Sequence, residues 1–280
     1  MRSLTLPGRG PGAMAVLEFG PADRPVDIVF LHATGFNALT YRQILQPLGD
    51  TLRVVAVDQR GHGATSLDAT VDGRRDWGAC TADLLAVLEV LNIESAVLSG
   101  HSMGASVALL AAPQASSRVR SLVLFDPVIM PIAIRSEAGD SPIQRGAARR
   151  RANFPSRAAA FAAYHARGAF TTWPDAILHD YVTAGFRDLP DGEVTLACAP
   201  AWEAWVFSAQ DNDVTGAFAT SQCPIRILKA EHRSTFGSDA ATAEALRDPR
   251  ISLEVVPGSS HFLPMERPDL VRDALRQAAA

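Results

Sequence analysis

One pentapeptide, Gly-His-Ser-Met-Gly at residues 100–104, constrains the fold of this chain more than any other feature. The apolar residues 96–98 before it predict a buried strand, and the Ala- and Leu-rich residues 107–112 after it predict a helix. A strand, a tight turn and a helix, in that order, form the context in which a Gly-x-Ser-x-Gly motif presents its serine. The motif therefore predicts a parallel α/β fold in which the serine hydroxyl is lifted clear of the sheet at the end of one strand.

The residue types around Ser102 fit this turn. A serine at the tip of a strained strand-to-helix turn needs small neighbours, and Gly100 and Gly104 supply them. The N–H of Met103, at the start of the helix, would point to the same space as the hydroxyl. Ser102 is therefore the candidate nucleophile, and the Met103 amide is a candidate donor to an oxyanion.

The rest of the chain alternates between apolar strands and amphipathic helices, which predicts a doubly wound, mostly parallel sheet. Strands are predicted at residues 13–19, 26–31, 52–57, 96–98, 119–125, 225–229 and 251–256. Helices are predicted at residues 41–48, 76–91, 107–112, 238–247 and 264–279.

Residues 128–222 break this alternation. They contain no convincing buried strand, but they hold Ala- and Arg-rich helical segments between Pro and Gly breaks, so a helical insertion is predicted. The core domain would then comprise residues 1–127 and 223–280. The basic run at 149–151 is interpreted as the solvated face of a helix, with a role in partner or substrate binding as the alternative. Aromatic residues could line an apolar route within the insertion: Phe161, Tyr164, Phe170, Trp173, Trp202, Trp205 and Phe207.

A serine hydroxyl needs a base, and the base needs a carboxylate that fixes its tautomer. Among seven histidines, His261 lies in a Gly- and Ser-rich loop just beyond the last predicted strand, where ligands of such sheets bind. Two carboxylates, Asp126 and Glu231, follow strands and precede His261 in the chain. The residues alone leave both open as the acid. The Thr34 N–H, after an early strand, is the second candidate oxyanion donor.

Four motifs together resemble the α/β-hydrolase superfamily: H-A-T-G-F-N at 32–37, D-Q-R-G-H-G at 58–63, G-H-S-M-G at 100–104 and G-S-S-H-F-L-P-M-E-R-P at 258–268. The resemblance covers nearly the whole chain except the insertion, which corresponds to that superfamily's cap domain. It implies Ser102 as the nucleophile, His261 as the base, and the amides of Thr34 and Met103 as the oxyanion hole.

One departure from the superfamily bears on the acid. Many relatives place the catalytic Asp in a G-x-x-D turn, where this chain has K-A-E-H-R, with Arg233 at the Asp position. Other members use a carboxylate after the preceding strand, which is the position of Asp126. The resemblance therefore favours Asp126 over Glu231.

Composition narrows the setting. The net charge of −4, with interspersed acids and bases, favours neither nucleic acid nor an anionic membrane as a partner. Three widely spaced cysteines give no disulfide framework and no metal-ligand pair, which indicates a reducing, cytoplasmic setting. No membrane span and no signal peptide are expected. A monomer or homodimer that needs no cofactor or metal is expected.

These observations predict a serine hydrolase that cleaves a small to medium, largely apolar carboxylic ester through an acyl-enzyme. Three alternatives fit the same residues. The site could open a lactone, cleave a carbon–carbon bond beside a ketone as meta-cleavage hydrolases do, or serve a ligand receptor with very slow turnover.

Overall fold

The computed structural model describes residues 1–71, 73, 75–130, 141–237 and 239–280. Within these ranges one eight-stranded sheet dominates. Its strands are β1 (Arg2–Pro7), β2 (Ala13–Phe19), β3 (Ile28–Leu31), β4 (Val54–Val57), β5 (Ala96–His101), β6 (Val119–Phe125), β10 (Ile225–Ala230) and β11 (Ile251–Val256). In the sheet the strands lie in the order β1-β2-β4-β3-β5-β6-β10-β11. The six strands from β4 to β11 in this order pair in parallel. Strands β1 and β2, at one edge, pair in antiparallel fashion.

Helices alternate with the strands, as the hydrophobic pattern predicts, and the fold class is confirmed. The helices are α1 (Arg42–Leu45), α2 (Gly78–Val90), α3 (Met103–Ala111), α4 (Pro142–Ala148), α5 (Arg157–Tyr164), α6 (Asp175–Gly185), α7 (Pro200–Ser208), α8 (Val214–Thr220), α9 (Ala240–Ala245), α10 (Leu263–Glu266) and α11 (Pro268–Ala279). Short 3-10 turns occur at Ala38–Tyr41, Gln46–Asp50, Ala112–Arg118 and Gly168–Phe170.

The sheet separates two hydrophobic clusters because successive side chains of a strand point to opposite faces. Along β3, Val29 and Leu31 join the cluster that contains α2 and α3. Ile28 and Phe30 join the cluster that contains α1 and α11. All four side chains are almost fully buried, and each contributes about 1.5–3 kcal/mol through burial. This two-sided burial explains why the central strands are apolar throughout rather than alternating with polar residues.

The segment between β6 and β10, expected to be a helical insertion without a convincing buried strand, contains short strands besides its helices. Three short strands, β7 (Asn153–Phe154), β8 (Phe186–Asp188) and β9 (Val194–Leu196), form an antiparallel sheet in the order β7-β9-β8. Strands of two or three residues are too short to show a period-two pattern, so the sequence did not predict them. Helix α8 packs against α3 and α9 of the large sheet's helical layer. The division at residues 127 and 223 stays a prediction.

The parallel register brings several strand ends to one edge of the sheet. The last residue of β5 pairs with Phe125, the last residue of β6, and the Ser102 N–H donates to the Phe125 carbonyl at 3.0 Å. Ser102 and Asp126 therefore follow neighbouring strands at the same level. In the described ranges no helix is long and apolar enough to cross a membrane.

Candidate active site

Ser102 occupies a strained turn between β5 and α3, with φ 57° and ψ −124°. Positive φ is uncommon for residues other than glycine, and such strain collects at functional sites. A Cβ on Gly100 would lie 2.6 Å from the carbonyl carbon of Gly104, and a Cβ on Gly104 would collide with the carbonyl oxygen of Leu31. Both glycines are therefore required by the close approach of strand and helix.

Three of the predicted side chains form one hydrogen-bonded relay. His261, in the loop after β11, places Nε2 3.0 Å from Ser102 Oγ and Nδ1 2.6 Å from Asp126 Oδ2. Asp126 is fully buried, His261 is one-fifth exposed, and Ser102 is buried. Because Nδ1 faces a carboxylate, it carries the proton, and Nε2 is left as an acceptor for the serine hydroxyl.

Glu231 lies outside this relay. Its carboxylate accepts the Gly258 N–H at 2.8 Å and lies 3.3 Å from His232 Nε2, with nearly half of its side chain exposed. The structure thus brings Asp126, and not Glu231, to the His261 ring.

Asp126 is surrounded by donors other than His261. It accepts from the Ala230 N–H at 2.9 Å, the Ser234 hydroxyl at 2.5 Å and the Thr235 N–H at 3.1 Å. Burial alone would raise the pKa of Asp126, but the bonds from His261, Ser234 and Ala230 outweigh it and hold that pKa below its ordinary value. The carboxylate therefore stays ionised. Sequence reasoning missed Ser234 and Thr235; their place just after a strand end was the available signal.

The two candidate oxyanion donors lie in fixed backbone. Thr34 stands between Ala33, whose N–H donates to the Tyr41 hydroxyl at 3.1 Å, and Gly35, whose N–H donates to His62 Nε2 at 3.0 Å. Met103 is the first residue of α3, where an N–H has no acceptor within the helix. Bonds on both sides of Thr34 hold this loop in place.

A cavity of about 350 Å³ opens over these residues and is lined by Ser102, His261 and Thr34. This volume is at the lower end of the range for small-molecule sites. Most of the remaining wall is apolar: Ala33, Phe36, Ile143, Ala147, Ala169, Phe170, Phe207 and Phe262. Of the aromatic residues predicted to line a route, Tyr164, Phe170 and Phe207 line this cavity. Trp173, Trp202 and Trp205 are buried in the core clusters, and Phe161 is partly buried against one of them.

Comparison with known proteins decides the family. The sequence profile of the alpha/beta hydrolase family matches residues 28–274. The chain belongs to the alpha/beta hydrolase family. The resemblance seen in the four motifs is therefore confirmed.

Two relatives bear on the activity. The chain is 26% identical over 250 residues to 2-(acetamidomethylene)succinate hydrolase of Mesorhizobium japonicum, covering 89% of this chain and 86% of that protein. A crystal structure of E-2-(acetamidomethylene)succinate hydrolase superposes with a TM-score of 0.82 at 26% identity, over 99% of this chain and 98% of that one. N-formylmaleamate deformylase of Pseudomonas putida is 37% identical over 92 residues, one third of each chain. These relatives indicate that the protein is a hydrolase.

One basic residue of this hydrolase departs from expectation. The run at 149–151 was interpreted as a solvated helix face, but Arg150 follows α4 and turns into the cavity, with only 21% of its side chain exposed. Its Nη1 contacts both carboxylate oxygens of Glu203, at 2.9 and 2.7 Å. The interpretation was wrong for Arg150 because its partner lies 53 positions away, where no local pattern points to it.

The hydrolase also buries three neutral histidines beside the site. Burial, with repulsion between neighbouring histidines, lowers the pKa of His101 to about 3 and that of His32 well below its ordinary value. Burial likewise lowers the pKa of His62 to about 4. His32 Nε2 accepts from the Gln59 N–H, as His62 does from Gly35, so both rings must be neutral to hold these loops. Among the described residues no group of three His, Cys, Asp or Glu could hold a metal ion.

These histidines predict a loss of stability in mild acid. Their folded pKa values lie below the unfolded value of about 6.5, so the unfolded chain binds more protons and the free energy of unfolding falls as pH falls. These three groups contribute a slope of about 4 kcal/mol per pH unit between about pH 6 and pH 4.5. Burial raises the pKa of the Asp58, Asp83 and Glu203 carboxyls, and these groups offset part of that slope. Urea unfolding at several pH values measures how the free energy of unfolding depends on pH. His62→Gln is expected to flatten the slope, and His232→Gln, at an exposed position, is the control. A slope that is the same in the native protein and in His62→Gln would contradict the prediction.

Proposed function

We propose that this hydrolase cleaves a carboxylic acid derivative through an acyl-enzyme on Ser102. The observation that supports this most is the relay from Asp126 through His261 to Ser102, with distances of 2.6 and 3.0 Å. It supplies a nucleophile, a base with its acceptor nitrogen facing the hydroxyl, and an ionised carboxylate behind that base.

In the proposed reaction, His261 Nε2 takes the hydroxyl proton while Ser102 Oγ attacks the substrate carbonyl. Asp126 holds the Nδ1 proton and stabilises the imidazolium that forms. The amides of Thr34 and Met103 donate to the oxyanion of the tetrahedral intermediate. Collapse of the intermediate passes the His261 proton to the leaving group, and a water activated by the same histidine then releases the acid and restores Ser102.

The mostly apolar cavity supports a small to medium carboxylic ester as the substrate. A second candidate is an N-acyl compound, because the names of the two relatives describe an acetamido and an N-formyl substrate. Lactone opening and carbon–carbon cleavage would use the same nucleophile, and a receptor would form the acyl-enzyme with very slow release. Product identity separates these reactions.

Covalent trapping tests the proposed nucleophile. A fluorophosphonate is expected to add once to the native protein, with the adduct located on Ser102 by peptide mass spectrometry and with loss of p-nitrophenyl ester turnover in parallel. Comparing p-nitrophenyl acetate with p-nitroacetanilide, which differ only in the bond cleaved, then distinguishes ester from N-acyl hydrolysis. No adduct, or one on another residue, would contradict the proposal; an adduct without any turnover would favour the receptor.

A further inference from the structure

The cavity that holds Ser102 and His261 has one strongly polar stretch of wall, formed by Arg150, Glu203, Tyr164 and Tyr181. We call these four residues the polar wall. No step of the proposed acyl transfer uses them. Their hydrogen bonds therefore indicate what else the cavity recognises.

The cation of the polar wall is already neutralised. Arg150 Nη1 donates to both oxygens of Glu203, and Nη2 donates to the hydroxyl oxygens of Tyr181 at 2.8 Å and Tyr164 at 3.3 Å. Together, Arg150 and Glu203 add no net charge to the cavity. A substrate carboxylate would find the guanidinium already paired and would lie beside a second carboxylate, and repulsion between the two like charges disfavours its binding.

The two tyrosines, by contrast, have a donor to spare. A tyrosine oxygen that accepts from Arg150 must direct its own O–H hydrogen elsewhere. Within the described part of the chain, neither hydroxyl makes a hydrogen bond besides the one it accepts from Arg150. Tyr181 is only 1% exposed, and burial raises the pKa of its hydroxyl, so the proton stays on the oxygen. A buried donor without a partner is costly, and a bound ligand could supply the acceptor.

We propose that the polar wall binds an uncharged carbonyl oxygen of the substrate, a ketone, carboxamide or second ester, through the O–H groups of Tyr181 and Tyr164. This assignment rests on the proposed function, since it describes the acyl part that enters the cavity. It makes this hydrolase selective for neutral substrates that carry two carbonyl groups, one at Ser102 and one at the polar wall, and it disfavours acids.

The polar wall also adjoins the loop of the candidate oxyanion hole. A Cβ on Gly35 would collide with the Glu203 carboxylate, so the two are in close contact. Gly35 follows Thr34 directly, and one ligand can therefore reach both places. Contact at two points would orient the reacting carbonyl with respect to Ser102.

Methyl esters test this preference, because methanol is a small leaving group and the acyl chain is then the part of the substrate that fills the cavity. The set is methyl 4-oxopentanoate, methyl succinamate, methyl pentanoate and monomethyl succinate, which differ at the end of the chain, together with homologues of longer spacing. For the best spacer, kcat/KM of the ketone or carboxamide is expected to exceed that of the alkyl ester about tenfold. The carboxylate is expected to react about a hundredfold more slowly than the carboxamide.

Two substitutions locate the effect. Tyr181→Phe is expected to lower the ratio of ketone to alkyl kcat/KM severalfold, because it removes the donor and keeps the ring. Glu203→Gln removes the counter-charge of Arg150 and is expected to move the preference towards the carboxylate by at least about tenfold. Glu231→Gln, the same change at an exposed site, is expected to leave all ratios as they are.

The outcomes separate this inference from the proposed function. Two results overturn the inference without affecting the proposed acyl-enzyme mechanism. In the first, the native protein turns over the alkyl ester and shows no preference for a second carbonyl. In the second, the native protein prefers the substrate with the carboxylate. If the native protein turns over none of the esters, calorimetry measures how tightly the Ser102→Ala protein binds the same esters. Tighter binding of the ketone than of the alkyl ester, together with loss of this difference in the Ser102→Ala, Tyr181→Phe double variant, supports the proposed role of the polar wall. Equal binding of the two esters overturns it.

Discussion

Replacing Ser102 with alanine is expected to lower kcat for p-nitrophenyl ester hydrolysis about a million-fold, to the rate supported by binding and the oxyanion amides alone. The loss is this large because without the hydroxyl no acyl-enzyme forms, and His261 has no nucleophile to deprotonate. Stopped assays at saturating substrate measure it, with protein prepared so that trace native enzyme is excluded.

Ser99→Ala is the matched control for this substitution. Ser99 lies three residues earlier in β5, is equally buried, and donates to the Val123 carbonyl at 2.6 Å, away from the cavity. Its loss is expected to cost about 1 kcal/mol of stability, with kcat close to native. Residual turnover of Ser102→Ala comparable with that of Ser99→Ala would mean that another group attacks the substrate.

The sequence was sufficient for the parts of this protein that depend on local pattern. Gly100, Ser102 and Gly104 form a turn whose steric demands are met by adjacent residues, and the apolar runs of the central strands follow from burial on both faces. Strand ends in a parallel sheet meet at one edge, so His261 could be chosen among seven histidines by its place after a strand.

Other features depend on contacts between distant segments, and no local pattern predicts them. β1 escaped prediction because it is a mostly exposed edge strand that pairs only with β2. Arg150 stands in a basic run whose local sequence does not show whether it is exposed or buried. Its contacts with the distant residues Glu203 and Tyr181 determine that it is buried. The sequence narrowed the catalytic acid to two candidates, Asp126 and Glu231. Choosing between them required the position of the His261 ring.

Asp126→Asn is expected to lower kcat about ten-thousandfold. An asparagine side chain can present its NH₂ group to His261 Nδ1, which fixes the ring in the tautomer with the proton on Nε2. That proton faces Ser102 Oγ, so the base can no longer accept from the nucleophile, and the imidazolium also loses its counter-charge. The effect is on kcat rather than on substrate binding, since Asp126 is fully buried and does not line the cavity.

Glu231→Gln separates this role from a general effect of removing a carboxylate behind the loop of His261. Glu231 holds the Gly258 N–H, a bond that glutamine can keep through its carbonyl oxygen, so kcat is expected to stay within about twofold of native. Unfolding midpoints of both variants account for lost stability, because Asp126 also accepts from Ser234 and Ala230. A large loss in Glu231→Gln with a small one in Asp126→Asn would reassign the acid, and would require His261 to leave the position it holds at 2.6 Å from Asp126.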